Sequence, residues 1–524
     1  MKNVLNKLIV VGAVVLLLGV SGVWAVQKFG TDPTTSISYG IDRGYISTSK
    51  DTKLFAATGA GLQQAVYYLN GSGGAIYLPA MNISVSKTIT KTSQNPITII
   101  GSGWQNNGSY GGTCLKDNGA GIIMTIGTAS EVITGVTIEN VCFSASGYDD
   151  TGLYLLRNTQ TTLRNVWFAG FNRALHIKGC WESSFYNLRV LHCGNIVDTT
   201  PAVVVEQYDA TVDGQTNNLV FNGVSGGACH YGFINIGNNT DNVYRVSLTD
   251  FYLEPSNETG TYGIRLDTNG QGFSIDNPQI LYGSPAIDIT TAGYCSITGG
   301  EIYSPRSGGI NMTTATNVNI VGTVFSGGEN SYVLYMTGSS YITVQGCSFT
   351  YCKKGVNIVS SNYVVVNGNT FREVGSGYNL DIQNNGYHQI SNNVFEPKNG
   401  KNAVPAAIVY LWNQQNTSFI GNVLYQNPTY NTVTYGVYVP ASSDFNLFAL
   451  NKVEGDITNA FSIADPHSVI FNNDKLGVWN NTFMVIPLKN TTSPFPPGFM
   501  WYNVIDHKLW IYEGATGWKS EEFT

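Results

Sequence analysis

Along most of the chain one short pattern returns: an Asn or Gly, an inward residue, a variable residue, then a large apolar one. It is seen in ENVCF, RNVWF, YNLRV, TDFYL, DNPQI, GTVF, GCSF, GNTF and NNVF. Its first positions are Asn140, Asn165, Asn187, Asn222, Asp250, Asn277, Gly299, Gly322, Gly346, Gly368 and Asn392, spaced by 25, 22, 35, 28, 27, 22, 23, 24, 22 and 24 residues. A period of this size marks a solenoid whose repeats pack only on their neighbours. Within one unit, short β-rich runs such as 296–298, 308–312 and 318–321 are separated by Gly, Asn and Ser turns, with no helical spacing between them. Each unit therefore reads as one coil of a β-helix, and the fold class as all-β.

Three positions after the first residue come Phe143, Phe168, Val190, Leu253, Ile280, Ile302, Phe325, Phe349, Phe371 and Phe395. These predict an apolar column running rung upon rung through the interior. The Asn at the first position suits a tight turn, because it tolerates left-handed backbone and can pass amide hydrogen bonds to the Asn of the next rung; Gly takes over the same turn later. Strand alternation then turns the +2 and +4 residues outward. The outer +2 column reads Cys142, Trp167, Arg189, Val224, Tyr252, Gln279, Glu301, Val324 and Ser348, and +4 adds Glu254, Leu281 and Tyr303.

Before the stack, Leu62, Ala65, Val66 and Leu69 fall at helical spacing, predicting a short amphipathic helix that covers the open first rung. The strings GGAIYLPA and ITIIGSG follow it. This opening resembles that of pectate-lyase-like proteins, especially the branch shared with phage tailspikes, over roughly residues 35 to 475. The resemblance implies a right-handed parallel β-helix with an N-terminal capping helix. The lyases' acidic calcium-ligand cluster with an adjacent Arg or Lys is not found here, a departure that counts against lyase activity. The organisation expected is a signal peptide or membrane anchor at 1–25, an N-terminal extension at 26–50, the β-helix at 51–475, and a small aromatic β-hairpin module at 476–524 carrying Trp501, Trp510 and Trp518.

The N-terminus has a basic start, the apolar run Leu8 to Val20, and small residues Val23 and Ala25, which predicts export. The competing reading is an uncleaved anchor over residues 8–25, close to the ~20 residues that span a bilayer. Sequons at Asn70, Asn82, Asn257, Asn311, Asn416, Asn480 and Asn490 fit an exported glycoprotein. Of the eight cysteines, Cys347 and Cys352, or Cys180 and Cys193, could pair, or all could be buried free thiols.

Composition narrows the partner. Only 12% of residues are charged, and the net charge of -7 comes with 27 Lys and Arg that form no basic run, so neither nucleic acid nor an anionic membrane surface is indicated. The thin charge points to a neutral, hydrogen-bonding partner, and a polysaccharide or cell-surface glycan is expected, while the 59 Gly and 31 Tyr suit β-structure rich in turns. No CxxC, HExxH or phosphate loop occurs.

The expected site is on the outer columns: Trp167, Arg189, Tyr252, Gln279 and Tyr303 to bind sugar, with Glu254 and Glu301 as candidate acid and base. Those two carboxylates lie two rungs and two residues apart, about 12 Å between backbones, and side chains leaning together could reach the ~6.5–9.5 Å of an inverting glycosidase pair. Surface glutamates that merely solvate the solenoid are the alternative. Asp250 reads as a turn residue. The long insertion after Asn187 carries Asp198, Glu206, Asp209 and Asp213, where calcium is conceivable. Trp167, Arg173, His176, Trp181, Glu182 and His192 form a second polar-aromatic neighbourhood, lining a groove or covering turns. Three functions compete: a surface glycan-binding spike or adhesin on a cell or virion, with a homotrimer conceivable; a secreted polysaccharide hydrolase or lyase; and a structural surface or filament protein.

Overall fold

A computed structural model describes residues 44–473, except 104–111, 146, 148–149, 210, 212–213, 256–260, 329–331, 376, 398–406, 428–431, 465–467 and 472, together with the backbone of three later strands. The chain winds as a right-handed parallel β-helix. Each coil has three strands. In one coil these are Gly293–Thr298, Glu301–Tyr303 and Ile310–Thr313; in the next, Thr316–Val321, Val324–Ser326 and Tyr332–Thr337. Equivalent strands pair in parallel from coil to coil, with Cys295 beside Val318 beside Ile342, and Ile302 beside Phe325 beside Phe349. Third strands form a 15-stranded sheet; first and second strands share a 33-stranded one, joined where Thr162–Ala169 and Trp181–Leu191 run through the bend.

That bend is the recurring Asn or Gly. Asn140, Asn165, Asn187, Asp250, Asn277 and Asn392 have φ between 50° and 59°, and Gly299, Gly322, Gly346 and Gly368 between 61° and 67°. Left-handed backbone is costly for most L residues and least so for Gly and Asn. The amides also bond along the stack: Asn165 Nδ2 donates to Asn140 Oδ1 at 3.0 Å, Asn187 to Asn165 at 2.7 Å, and Asn277 to Asp250 at 2.8 Å. One rung departs from the expected register. Gly223 (φ 66°), not Asn222, makes the bend, so Val224 turns inward and is buried while Ser225 takes the outer position beside Tyr252.

The +3 residues form the core as expected. Phe325, Phe349, Phe371 and Phe395 stack at centroid spacings of 4.8, 4.5 and 4.8 Å. A second, buried ladder runs beside it at +1. Asn369, Asn393, Asn422, Asn451 and Asn473 point inward, each Nδ2 donating to the next Oδ1 at 2.8–3.1 Å. Each Oδ1 also accepts a backbone N–H from the preceding rung. Buried amides are tolerable here because nearly every donor and acceptor is matched.

The helix Gly59–Leu69 forms where predicted, capped by Thr58, whose Oγ1 accepts from Gly61 N at 3.1 Å, and it buries Leu62, Ala65, Val66 and Leu69 against the first rungs. Tyr45–Thr48 pairs antiparallel with Leu54–Ala56 and Gly74–Tyr77 beside it. After the stack, Phe499–Asn503, Lys508–Tyr512 and Trp518–Glu522 form a three-stranded antiparallel sheet, one strand more than a hairpin. The suggested cysteine pairs are not formed. Cys180, Cys193, Cys347 and Cys352 are separately buried, each thiol donating to backbone carbonyls. Burial pushes Cys180, Cys193 and Cys352 up to about 12 and Cys347 to about 11.

Candidate functional site

The outer face of the second strands carries the expected residues in one column. Cα pairing runs Cys114, Cys142, Trp167, Arg189, Ser225, Tyr252, Gln279, Glu301, Val324 and Ser348. The Arg189 guanidinium lies 5.8 Å from the Trp167 ring centroid. Tyr252 OH donates to Glu254 Oε1 at 2.6 Å, and Tyr303 meets Tyr282 edge to face at 6.4 Å. Tyr252, Tyr303, Glu254 and Glu301 are all exposed on this open wall.

A second outer column, five residues before the bend, has a different character. Register places Asn218, Arg245, Gly272, Tyr294, Asn317, Tyr341, Tyr363 and Tyr387 above one another. All have left-handed φ, from 51° to 84°. For tyrosine that backbone costs roughly 1–2 kcal/mol relative to ordinary strand geometry, yet four rungs carry it, each ring 45–60% exposed. Tyr341 stacks on Tyr363 at 5.0 Å, and Tyr363 on Tyr387 at 5.2 Å.

Above these rings the column opens into a cleft of about 570 Å³ lined by Gln215, Asn217, Asn218, Tyr244, Arg245, Gln271, Gly272 and Tyr294. Its cause is local: Gly272 has no side chain, so the rung between Arg245 and Tyr294 is vacant. A Cβ there would meet Arg245 Cγ at 3.4 Å. The sequence carried a signal for this column, since Tyr294, Tyr341, Tyr363 and Tyr387 each precede their bend residue by five.

The third strands gather buried charge. His176, from the second polar-aromatic neighbourhood, stacks on Tyr154 at 4.6 Å, and its Nε2 lies 2.6 Å from Glu206 Oε1, with Lys178 Nζ at 3.3 Å. Glu206 thus ends the strand Val203–Glu206 rather than lying in an irregular insertion. Burial alone would raise its pKa, but the His176 hydrogen bond and the charges of His176 and Lys178 hold it below the usual carboxylate range. Asp241 and Asp267 are instead pushed up, chiefly by burial, with Glu206 adding to the rise at Asp241 and Asp288 at Asp267. Val205, Ile236 and Leu266 are in register, so Glu206 and Asp267 follow at the same step with Gly237 between them, roughly 9.6 Å apart along the stack. Further down, buried Asp381 accepts from Tyr332, Asn357 and Gln383 beside the stacked Tyr378 and Tyr410; burial raises its pKa, partly offset by those bonds.

Asp198 and Asp209 accept from Asn195 and Thr211 of their own loops, and Asp213 lies outside the described residues. Among the described residues no group of three His, Cys, Asp or Glu stands close enough to hold a metal, and no helix is long and apolar enough to cross a membrane. Residues 1–43, with the predicted leader or anchor, and Asn257, Asn480 and Asn490 lie outside the description. Asn82 and Asn416 are exposed, Asn70 closes the helix, and Asn311 is half-buried on the third face.

The family model described as "right handed beta helix region" matches residues 262–424. A search of curated proteins gives no match. Among solved structures, tailspike protein 3 of bacteriophage CBA120 is 12% identical at a TM-score of 0.39, over 88% of this chain and 66% of that one, just under two thirds of its length. PfbA, a surface adhesin of Streptococcus pneumoniae, is 10% identical at 0.36, over 90% and 98%. The pre-mature bacteriophage phi29 gene product 12 is 10% identical at 0.45, over 88% and 81%. Such identities bear on the fold alone.

Proposed function

We propose that this chain is an exported spike or adhesin that recognises a polysaccharide along the outer faces of its β-helix. The observation that carries the reading is the column of exposed tyrosines in left-handed backbone beside the cleft over Gly272. Strained backbone is retained where the side chain it presents is needed, and rings repeated at rung spacing offer stacking faces to successive sugars. The amides of Gln215, Asn217, Asn218 and Gln271 supply hydroxyl partners. Trp167, Arg189, Tyr252, Gln279 and Tyr303 form a second candidate wall. Export rests on the leader-like N-terminus, glycosylation on the sequons, and trimerisation on the resemblance to tailspikes. A glycan array and co-sedimentation with bacterial surface polysaccharides test the reading. Tyr294→Ala and Tyr363→Ala are expected to weaken binding at least about tenfold, the weight of roughly one stacked ring. Wild-type protein that retains no polysaccharide would refute it.

A hydrolytic reading is favoured by a separate observation. The pKa of Glu206 is lowered and that of Asp267 raised from the ordinary carboxylate range, and the two follow at the same register step two rungs apart; carboxyl groups driven apart in this way can divide the roles of base and acid. Glu254 and Glu301 remain the alternative pair on the second face. Reducing-end release would be compared in wild type, Glu206→Gln, Asp267→Asn, Glu254→Gln and Glu301→Gln. Loss confined to the first two places catalysis on the third face, loss confined to the last two places it on the second, and no release by wild type removes the enzyme.

A further inference from the structure

We infer that the cleft over Gly272 is a subsite for an acidic sugar, gripped between Arg245 and Tyr294; this rests on the polysaccharide-recognition reading above. Of the residues lining the cleft, Arg245 alone carries charge, and the others are amides, tyrosines and glycine. Among the described residues it has no acidic partner. Gly272 leaves the rung below it without a side chain, and Arg245 lines the open space this creates. A fork of N–H donors matches a carboxylate or sulfate oxygen pair in a way no neutral hydroxyl does, and bidentate pairing supplies both strength and orientation. Tyr294, two rungs away in the same column, presents a ring against which the sugar body rests. The protein as a whole is acidic, at -7, so an anionic polymer must be met by a local cation, and Arg245 is the cation in the cleft.

Three polymers on one backbone separate the outcomes: dextran, carboxymethyl-dextran and dextran sulfate, each measured by co-sedimentation at low and high salt. Wild-type protein is expected to retain the charged polymers at least about tenfold better than dextran, with the carboxymethyl and sulfate forms showing which anion fits. Arg245→Gln should erase that preference, bringing retention of the charged polymers down to the level of dextran. Gly272→Asn, which tolerates the left-handed backbone but fills the vacancy, should weaken all charged binding without altering the melting temperature. Equal retention of dextran and its charged forms, or an Arg245→Gln protein that still prefers them, would overturn the acidic subsite and leave the recognition reading standing. No retention of any polymer, in this assay and on the glycan array, would overturn both.

A second inference stands on a different observation. Cys114 and Cys142 are Cα partners in adjacent rungs of the second-strand face, their Sγ atoms 2.8 Å apart. Neighbouring parallel strands lie about 4.8 Å apart, within the Cα range a disulfide spans. The geometry points to a disulfide staple between these two rungs. The reaction is thiol–disulfide exchange: each thiol loses a proton, the Cys114–Cys142 bond forms, and a protein or low-molecular-weight disulfide oxidant of the export compartment takes the two electrons and is released as two thiols. Thiol titration of denatured, non-reduced protein secreted from its host should then find six of the eight cysteines free, with one linked peptide pair by mass spectrometry. Eight free thiols in secreted protein, or a linked pair other than 114 and 142, would overturn it. A Cys142→Ser variant should leave every remaining thiol free.

Discussion

At the scale of single residues, burial sets two measurable behaviours. His388 is almost fully enclosed, with Nδ1 accepting from Val364 N at 3.3 Å, and burial, slightly opposed by Gln414, pushes its pKa down to about 4. The unfolded chain takes up this proton near pH 6.5 and the folded chain only near pH 4, so the neutral histidine's contribution is complete above about 6.5 and is lost as pH falls toward 4. The loss amounts to about 3 kcal/mol. Asp241, Asp267 and Asp381, with raised values, act in the opposite direction, so the comparison must be made between proteins. His388→Asn is expected to be less stable at pH 7 but to lose less stability between pH 6.5 and 4 in urea titrations. Asn422 gives the second test. Replaced by Ala, it strips Asn393 of the acceptor for both its backbone and side-chain N–H, and unfolding free energy should fall by about 2–5 kcal/mol.

At the scale of strands and helix, each element is held by its equivalents one coil away. Phe349 lies between Phe325 and Phe371, and Phe349→Ala removes both ring contacts from a close-packed column, which should cost about 3–5 kcal/mol in chemical unfolding. The helix depends on Thr58 at its start, and Thr58→Ala should cost about 1 kcal/mol. Deleting Gly59–Leu69 instead exposes the first rung's apolar surface and strand edges, and the expected outcome is aggregation seen by light scattering. The Asn bend, the Phe column and this helix were legible because each writes a local signature. The +1 Asn ladder writes no such signature, because a polar residue at an inward position looks like an error until its hydrogen bonds along the stack are seen.

At the scale of the molecule, stability is a sum of coils and their interfaces, so protection against hydrogen exchange should be graded. The central coils between Gly293 and Val374 bury nearly all their inward residues, whereas Ile457–Ile463, the last strand of the third sheet, is only partly covered. Amides of 457–463 are expected to exchange fastest in the stack and those of 293–371 slowest, measured by mass spectrometry. If the proposed recognition holds, the same long axis would let weak contacts at Tyr294, Tyr341, Tyr363 and Tyr387 add on one polymer, and affinity should rise steeply with chain length from short oligosaccharides to polymer.

The coil, its period, the bend residues, the apolar column and the capping helix were all legible in the chain's order of residues, because they are spacings within a repeat and follow from alternation and turn chemistry. That order also held the outer +2 column, except at the long rung, where one inserted residue moved the bend from Asn222 to Gly223 and reversed Val224. Tertiary structure decided which residues from different coils share a face. Arg245, Gly272 and Tyr294 are 27 and 22 residues apart and become one cleft only when hydrogen-bond register stacks them and the missing Gly272 side chain leaves the space open. Glu206 joined His176, and Cys114 joined Cys142, for the same reason: contact across rungs is fixed by register, which the lengths of the connecting turns conceal until the chain is coiled.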